Sequence, residues 1–195
     1  MYKVIRFFLD CYFRLSYSYE YTFKTDASIF KGPLLIAANH QTNWDPFLIH
    51  AVIPVRLAFM AKEELFKIPV LGWVMKREGA IPVKRGGSGD RQAIRDMLQA
   101  LEEKQILGIF PEGTRSTDGK LQPFQPGMAM MATRSGSPVL PVWIFWDIKH
   151  KVKVHVGEPI APPPKGSDRE VQVQFTEQVR NAMLALKEEG ELLDR

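Results

Sequence analysis

A chain of 195 residues, 45% hydrophobic and 25% charged, carries enough apolar material for one domain with a full core, which excludes a disordered or fibrous chain. Its single cysteine, Cys11, excludes an internal disulfide and a zinc site built on several cysteines, and makes a reducing compartment the simpler assumption. A formal net charge of +4 fits an anionic partner, whether a phosphorylated substrate, an acidic membrane surface or nucleic acid, without choosing among them.

The first predicted element is an amphipathic, helical N-terminal segment over residues 1–25. MYKVIRFFLDCYFRLSYSYEY is rich in aromatics but is interrupted by Lys3, Arg6, Asp10 and Arg14. Its longest uncharged run falls well short of the ~18 residues of a spanning helix. It also lacks the apolar block and small-residue cleavage site of a secretory signal. Aromatic rings mixed with Lys and Arg suit the headgroup zone of a bilayer; the competing reading is a helix packed on the protein's own core.

The rest, residues 26–195, reads as one domain. GPLLIAAN, RLAFMAK, GAIPVKR, ILGIFPEG, PVLPVWIF and KVKVHVGEPI are apolar runs bounded by Gly, Pro or charge, the pattern of strands. FLIHAVI, after Pro46, continues as a helix. The apolar stretch from Leu65 to Val74 suits either a contact surface or core packing. DRQAIRDMLQALEEK is helical, with Ala93, Ile94, Met97, Leu98 and Leu101 on one face and Ser88 or Asp90 to cap it. FQPGMAMMATRSG is a helix closed by Gly136. After the stiff connector APPPKG comes a last helix, with Ser167 and Glu170 as a capping box and a stripe of Val171, Phe175, Val179, Met183 and Leu186. Strands alternating with helices predict an α/β fold, a single domain with a mixed, largely parallel central sheet flanked by helices.

Three stretches carry residues suited to chemistry. In NHQTNWDPF, His40 and Asp45 lie five positions apart, about 500° of helical rotation, so they meet only if the backbone turns between them. The sequence offers that turn: Asn43 or Asp45 caps a helix and Pro46 opens it. The Asp45 carboxylate then reaches one nitrogen of His40 and leaves the other as a general base. The bland alternative is a cap and a polar loop residue. No G-x-S-x-G elbow supplies an enzyme nucleophile, so a substrate hydroxyl is the natural attacking group. In FPEGTRS, Arg115 presents a planar fork for phosphate, and Glu112 either orders the loop or accepts from a substrate hydroxyl. In GAIPVKRGGSGD, Lys84 and Arg85 stand at a strand end before a glycine-rich turn, an anion seat without the Walker ending. His40, His50, His150 and His155 show no metal-ligand spacing.

Taken in order, H-x4-D, IPVKR, FPEGTRS and SPVLPV resemble the glycerolipid acyltransferase family over about residues 33–145. The likeness is nearest to bacterial-type 1-acyl-sn-glycerol-3-phosphate (lysophosphatidate) acyltransferases. The resemblance implies an enzyme in which His40 is the general base toward the acceptor hydroxyl and Asp45 orients it. The hydroxyl attacks the thioester of acyl carrier protein or acyl-CoA directly. Arg85 and Arg115 hold the acceptor's phosphate, with Glu112, Gly113 and Thr114 in the binding loop, and Pro141 lies in the last apolar block. It implies no metal and no bound cofactor, a lysophospholipid acceptor, a membrane surface at the cytoplasmic face, and no nucleic acid. Gln125 stands where many members carry Lys, so one cationic contact is missing. The alternatives are the same chemistry on another lysolipid, or a non-catalytic lipid- or nucleic-acid-binding module.

Overall fold

Leu34–Ala38 is a run of five apolar residues, all buried, which fits a strand covered on both faces at the middle of a sheet. The computed structural model describes residues 1–83, 88–147 and 150–192, without the side chains of 88–90. It makes Leu34–Ala38 strand β2 of a seven-stranded sheet. The sheet runs β1 (Ser18–Phe23), β7 (Lys151–Val156), β6 (Val139–Trp146), β2, β5 (Ile106–Ile109), β3 (Ala58–Lys62), β4 (Ile81–Val83). All neighbours are parallel except β6 and β7, which are antiparallel. The mixed, mostly parallel α/β architecture is therefore the one the sequence predicts.

Side chains alternate across β2 and divide the core. Leu34, Ile36 and Ala38 join Leu48, Ile49 and Val52 of α2 (Asp45–Val52) and Phe13 of α1 (Tyr2–Ser16). Leu35 and Ala37 join Met97 and Leu101 of α4 (Ser88–Glu102), Met128 and Ala132 of α5 (Gly127–Ser135), and Phe175, Val179, Met183 and Leu186 of α6 (Arg169–Leu192). Phe13 is wholly buried, and a side chain of that kind contributes about 1.5–3 kcal/mol, which favours α1 docked over α1 free. Arg6 adds a second tie, its Nε donating to the Ala51 carbonyl in the last turn of α2 at 3.0 Å.

Several local expectations change. The segment 1–25 is not helical throughout: α1 ends at Ser16, and Ser18–Phe23 is an edge strand pairing with β7. Tyr19 packs inward while its neighbours face out, the period-two pattern of a half-buried strand. The last helix is capped by Asp168, whose Oδ1 accepts from Val171 N at 3.0 Å, while the Ser167 hydroxyl turns to the Pro164 carbonyl. Val171 lies exposed, outside the buried stripe. The stretch Leu65–Val74 splits between a tight turn and α3 (Leu71–Glu78), and Leu65, Ile68, Val70 and Trp73 face solvent rather than core. Gly136 does close α5, in the left-handed conformation at φ 72° that a residue without Cβ adopts freely. The expected caps at Ser88 or Asp90 rest on side chains outside those described.

Candidate active site

The sheet brings the two central motifs together. β2 and β5 are parallel neighbours with Ala37 opposite Ile109, so the residues that follow them emerge side by side at one edge. In an open parallel sheet that carboxyl edge is where ligands bind. Asn39 is buried and extends the β2–β6 pairing with its side chain: Nδ2 donates to the Ile144 carbonyl at 3.0 Å, and Oδ1 accepts from Ile144 N at 2.7 Å. The chain then leaves the sheet at His40.

The backbone turns between His40 and Asp45 and closes the pair. His40 Nδ1 lies 2.8 Å from Asp45 Oδ2. A carboxylate only accepts, so Nδ1 is the donor in this contact, and the neutral form of the ring then carries its lone pair on Nε2. Asp45 is the first residue of α2, followed by Pro46, and neither Asn43 nor Asp45 caps the helix as expected. The Asp45 carboxylate instead folds back over its own loop. Oδ2 accepts from Gln41 N at 2.6 Å and Thr42 N at 2.8 Å, and Oδ1 accepts from the Thr42 hydroxyl at 2.9 Å. Oδ1 also accepts from the indole Nε1 of Trp146 at 2.7 Å. Asp45 is fully buried, and this shell of donors offsets the cost of burying its charge. The opposite face of the loop is aromatic: the Phe110 ring stacks on the His40 imidazole at 4.0 Å and 16°, and Phe59 stacks behind Phe110 at 5.5 Å and 15°.

Glu112 ties the second motif to the first. Its Oε1 accepts from His40 N at 2.8 Å and its Oε2 from Gln122 N at 2.7 Å. Of the two roles open in the sequence, ordering the loop is the one its oxygens perform. Burial raises its carboxyl above the usual carboxylate range, opposed by those backbone donors. Ser116 N donates to the His40 carbonyl at 2.7 Å, completing the clasp. Gly113 turns the loop at φ 68°, and Gly113, Thr114 and Arg115 are exposed beyond it. Arg115 Nη1 donates to Asn43 Oδ1 at 3.0 Å, which holds a cationic fork against the His40–Asp45 loop. Lys84 and Arg85 lie outside the described residues. Among the described residues, no group of three or more His, Cys, Asp or Glu side chains forms a metal site.

The arrangement pairs a largely buried imidazole that keeps some access to solvent, oriented by a buried carboxylate, with a guanidinium over the same loop. It suits proton abstraction from a hydroxyl on an anionic molecule. Trp146, Asn39 and Gln122 escape the sequence reading. Asn39 and Trp146 act through contacts to residues more than a hundred positions away, Gln122 through a backbone bond to Glu112 ten positions before it, and the apolar run that leads into Trp146 signals only a strand.

A family model described as Acyltransferase matches residues 17–145, which takes in both motifs and stops one residue before Trp146. A chloroplast 1-acyl-sn-glycerol-3-phosphate acyltransferase of Brassica napus is 32% identical over 114 residues, 58% of this chain and 33% of that protein. A lyso-ornithine lipid O-acyltransferase of Pseudomonas aeruginosa is 34% identical over 117 residues, 60% of this chain and 44% of that protein. The chain thus spans a third to a half of the length of these relatives. The crystal structure of the 1-acyl-sn-glycerophosphate acyltransferase PlsC from Thermotoga maritima superimposes with a TM-score of 0.78 at 28% identity, over 96% of this chain and 78% of that one.

Proposed function

The chain belongs to the Acyltransferase family, and from that premise we propose that it transfers a fatty acyl group from a thioester to the sn-2 hydroxyl of 1-acyl-sn-glycerol-3-phosphate, giving phosphatidate. The observation that carries the reading is the His40–Asp45 contact of 2.8 Å beside Arg115. His40 Nε2 takes the proton of the acceptor hydroxyl as its oxygen attacks the thioester carbonyl. Asp45 stabilises the imidazolium that forms. The tetrahedral intermediate collapses, the carbon–sulfur bond breaks, and the proton on Nε2 passes to the departing thiolate. No acyl-enzyme is formed. Arg115, with Arg85, holds the acceptor's phosphate, and Glu112, Gly113 and Thr114 shape the loop that presents Arg115. The donor is acyl carrier protein or acyl-CoA, and the enzyme works at the cytoplasmic face of a membrane.

A second reading keeps the chemistry and changes the acceptor. The likeness to the lyso-ornithine lipid enzyme supports it, while a cationic fork at the site favours an acceptor that carries phosphate. The test incubates the protein and His40→Ala with detergent-dispersed lysophosphatidate or lyso-ornithine lipid and either donor, and follows products by mass spectrometry. Phosphatidate formation, reduced about 10²–10⁴-fold in the variant, is the expected result. Product from the ornithine acceptor alone reassigns the acceptor, and equal turnover in both proteins removes His40 from the base role.

A further inference from the structure

We propose that Trp146 is a positioning residue of the acyl-transfer site, its indole N–H holding the Asp45 carboxylate in the orientation at which it accepts from His40. The inference rests on the base role given to His40 above.

The argument starts from where the donors to Asp45 come from. The Gln41 and Thr42 backbone N–H groups, the Thr42 hydroxyl and the His40 ring all belong to the loop that Asp45 itself closes. They fix the carboxylate relative to the loop, and they move when the loop moves. Trp146 is the donor that comes from the sheet, at 2.7 Å, from a residue 101 positions away. It therefore ties the loop's internal network to the scaffold.

Two properties suit the indole to that task. It is a donor only, so the bond fixes Oδ1 as an acceptor and cannot reverse polarity as a hydroxyl can. It is also held in place: Trp146 pairs with Val152 at the end of the β6–β7 ladder, Tyr17 packs edge-on against its ring at 5.5 Å, and Phe13 lies beyond at 6.4 Å. The fully buried Phe13 and the adjoining Tyr17 thus support the indole from the N-terminal side of the fold. The hydroxyl attack requires His40 at a defined distance and angle, and small misplacements of a catalytic group reduce rate steeply.

The test measures acyl transfer by the parent, Trp146→Phe, His40→Ala and the double variant, with Trp143→Phe as a control on the opposite face of β6. Phenylalanine keeps an aromatic ring beside Tyr17 and removes the N–H. Trp146→Phe is expected to lower kcat about ten-fold, the loss of one hydrogen bond to a charged group, with the acceptor KM within about two-fold. In the His40→Ala background it is expected to cost nothing further, because it acts through the pair; a merely structural effect carries the same factor in both backgrounds. Unchanged kcat in Trp146→Phe, a change confined to KM, or a loss matched by Trp143→Phe overturns the proposal and leaves the base reading standing. An inactive parent, or His40→Ala as active as the parent, overturns the base reading and the proposal together. Should Trp146→Phe fail to fold, NMR decides: the parent's Trp146 indole N–H resonance is expected to move upfield in Asp45→Asn, and an unmoved resonance overturns the proposal.

Discussion

Glu112 is a buried carboxylate with both oxygens on backbone N–H groups, one from each of the loops it joins. Burial holds its carboxyl above the usual range, so the folded protein binds that proton more tightly than the unfolded chain does. Stability therefore falls as pH rises from the ordinary glutamate range through the raised value, and the term is constant above it. Glu112→Gln removes the titration and turns an amide NH2 toward one of the two N–H donors. The variant is expected to be less stable by about 1–3 kcal/mol. The gap should narrow as pH rises through the interval. Urea unfolding of both proteins at steps between about pH 4 and 7 checks it, and a gap that widens with pH contradicts the raised carboxyl.

At the scale of elements, β5 positions the site through what it lacks. Gly108 stands opposite Phe59 in the β3–β5 register, and a Cβ there would run into the Phe59 ring. That ring backs Phe110, which backs His40, so the missing side chain sets the depth of the whole stack. Gly108→Ala is expected to cost about 1–3 kcal/mol by overpacking and to lower turnover in protein that remains folded. Thermal unfolding and kcat measured together check this. Lost stability with unchanged kcat removes the stack from the positioning of His40. Strands β2 and β5 were legible because burial on both faces is written into their composition, and the meeting of H-x4-D with FPEGTRS follows once they are adjacent and parallel. Strand β1 was not, because its partner β7 lies over a hundred residues away and the aromatic pattern of α1 runs on into it. The clasp by Glu112 was legible only as one of two options, since His40 N lies 72 positions from it. The indole bond to Asp45 left no trace at all: a Trp ending an apolar strand looks the same with or without a polar partner.

On the scale of the whole molecule, the site and the exposed apolar surface are joined. Among the described residues no helix is long and apolar enough to cross a membrane. Yet α1 exposes Val4, Phe7, Phe8 and Leu15, the last at 88%, while Phe13 and Arg6 hold its other side to the body. Tyr12 of the same helix stacks on Trp44 at 5.3 Å and 22°, and Trp44 directly precedes Asp45. A bilayer that took the outer face of α1 would lie one aromatic pair from the His40–Asp45 loop, where the lipid acceptor of the proposed reaction would have to arrive. Large apolar side chains left in water with cationic neighbours suit anionic lipid surfaces, and the chain's net charge of +4 has the matching sign. Binding to vesicles containing anionic lipid is therefore expected to weaken with salt and to persist in part, because the apolar contribution is not screened. Phe7→Ser with Phe8→Ser should lower vesicle partitioning by about ten-fold or more, each ring contributing on the order of 1 kcal/mol or more when buried in lipid. Turnover on monomeric, short-chain acceptor should stay near the parent's, since neither ring contributes to the His40–Asp45 network. Co-sedimentation with vesicles and the short-chain assay separate the outcomes. Unaltered partitioning moves the membrane contact away from α1, to the exposed Ile68, Val70 and Trp73, and equal loss on both substrates makes α1 part of the site's support rather than its route to the bilayer.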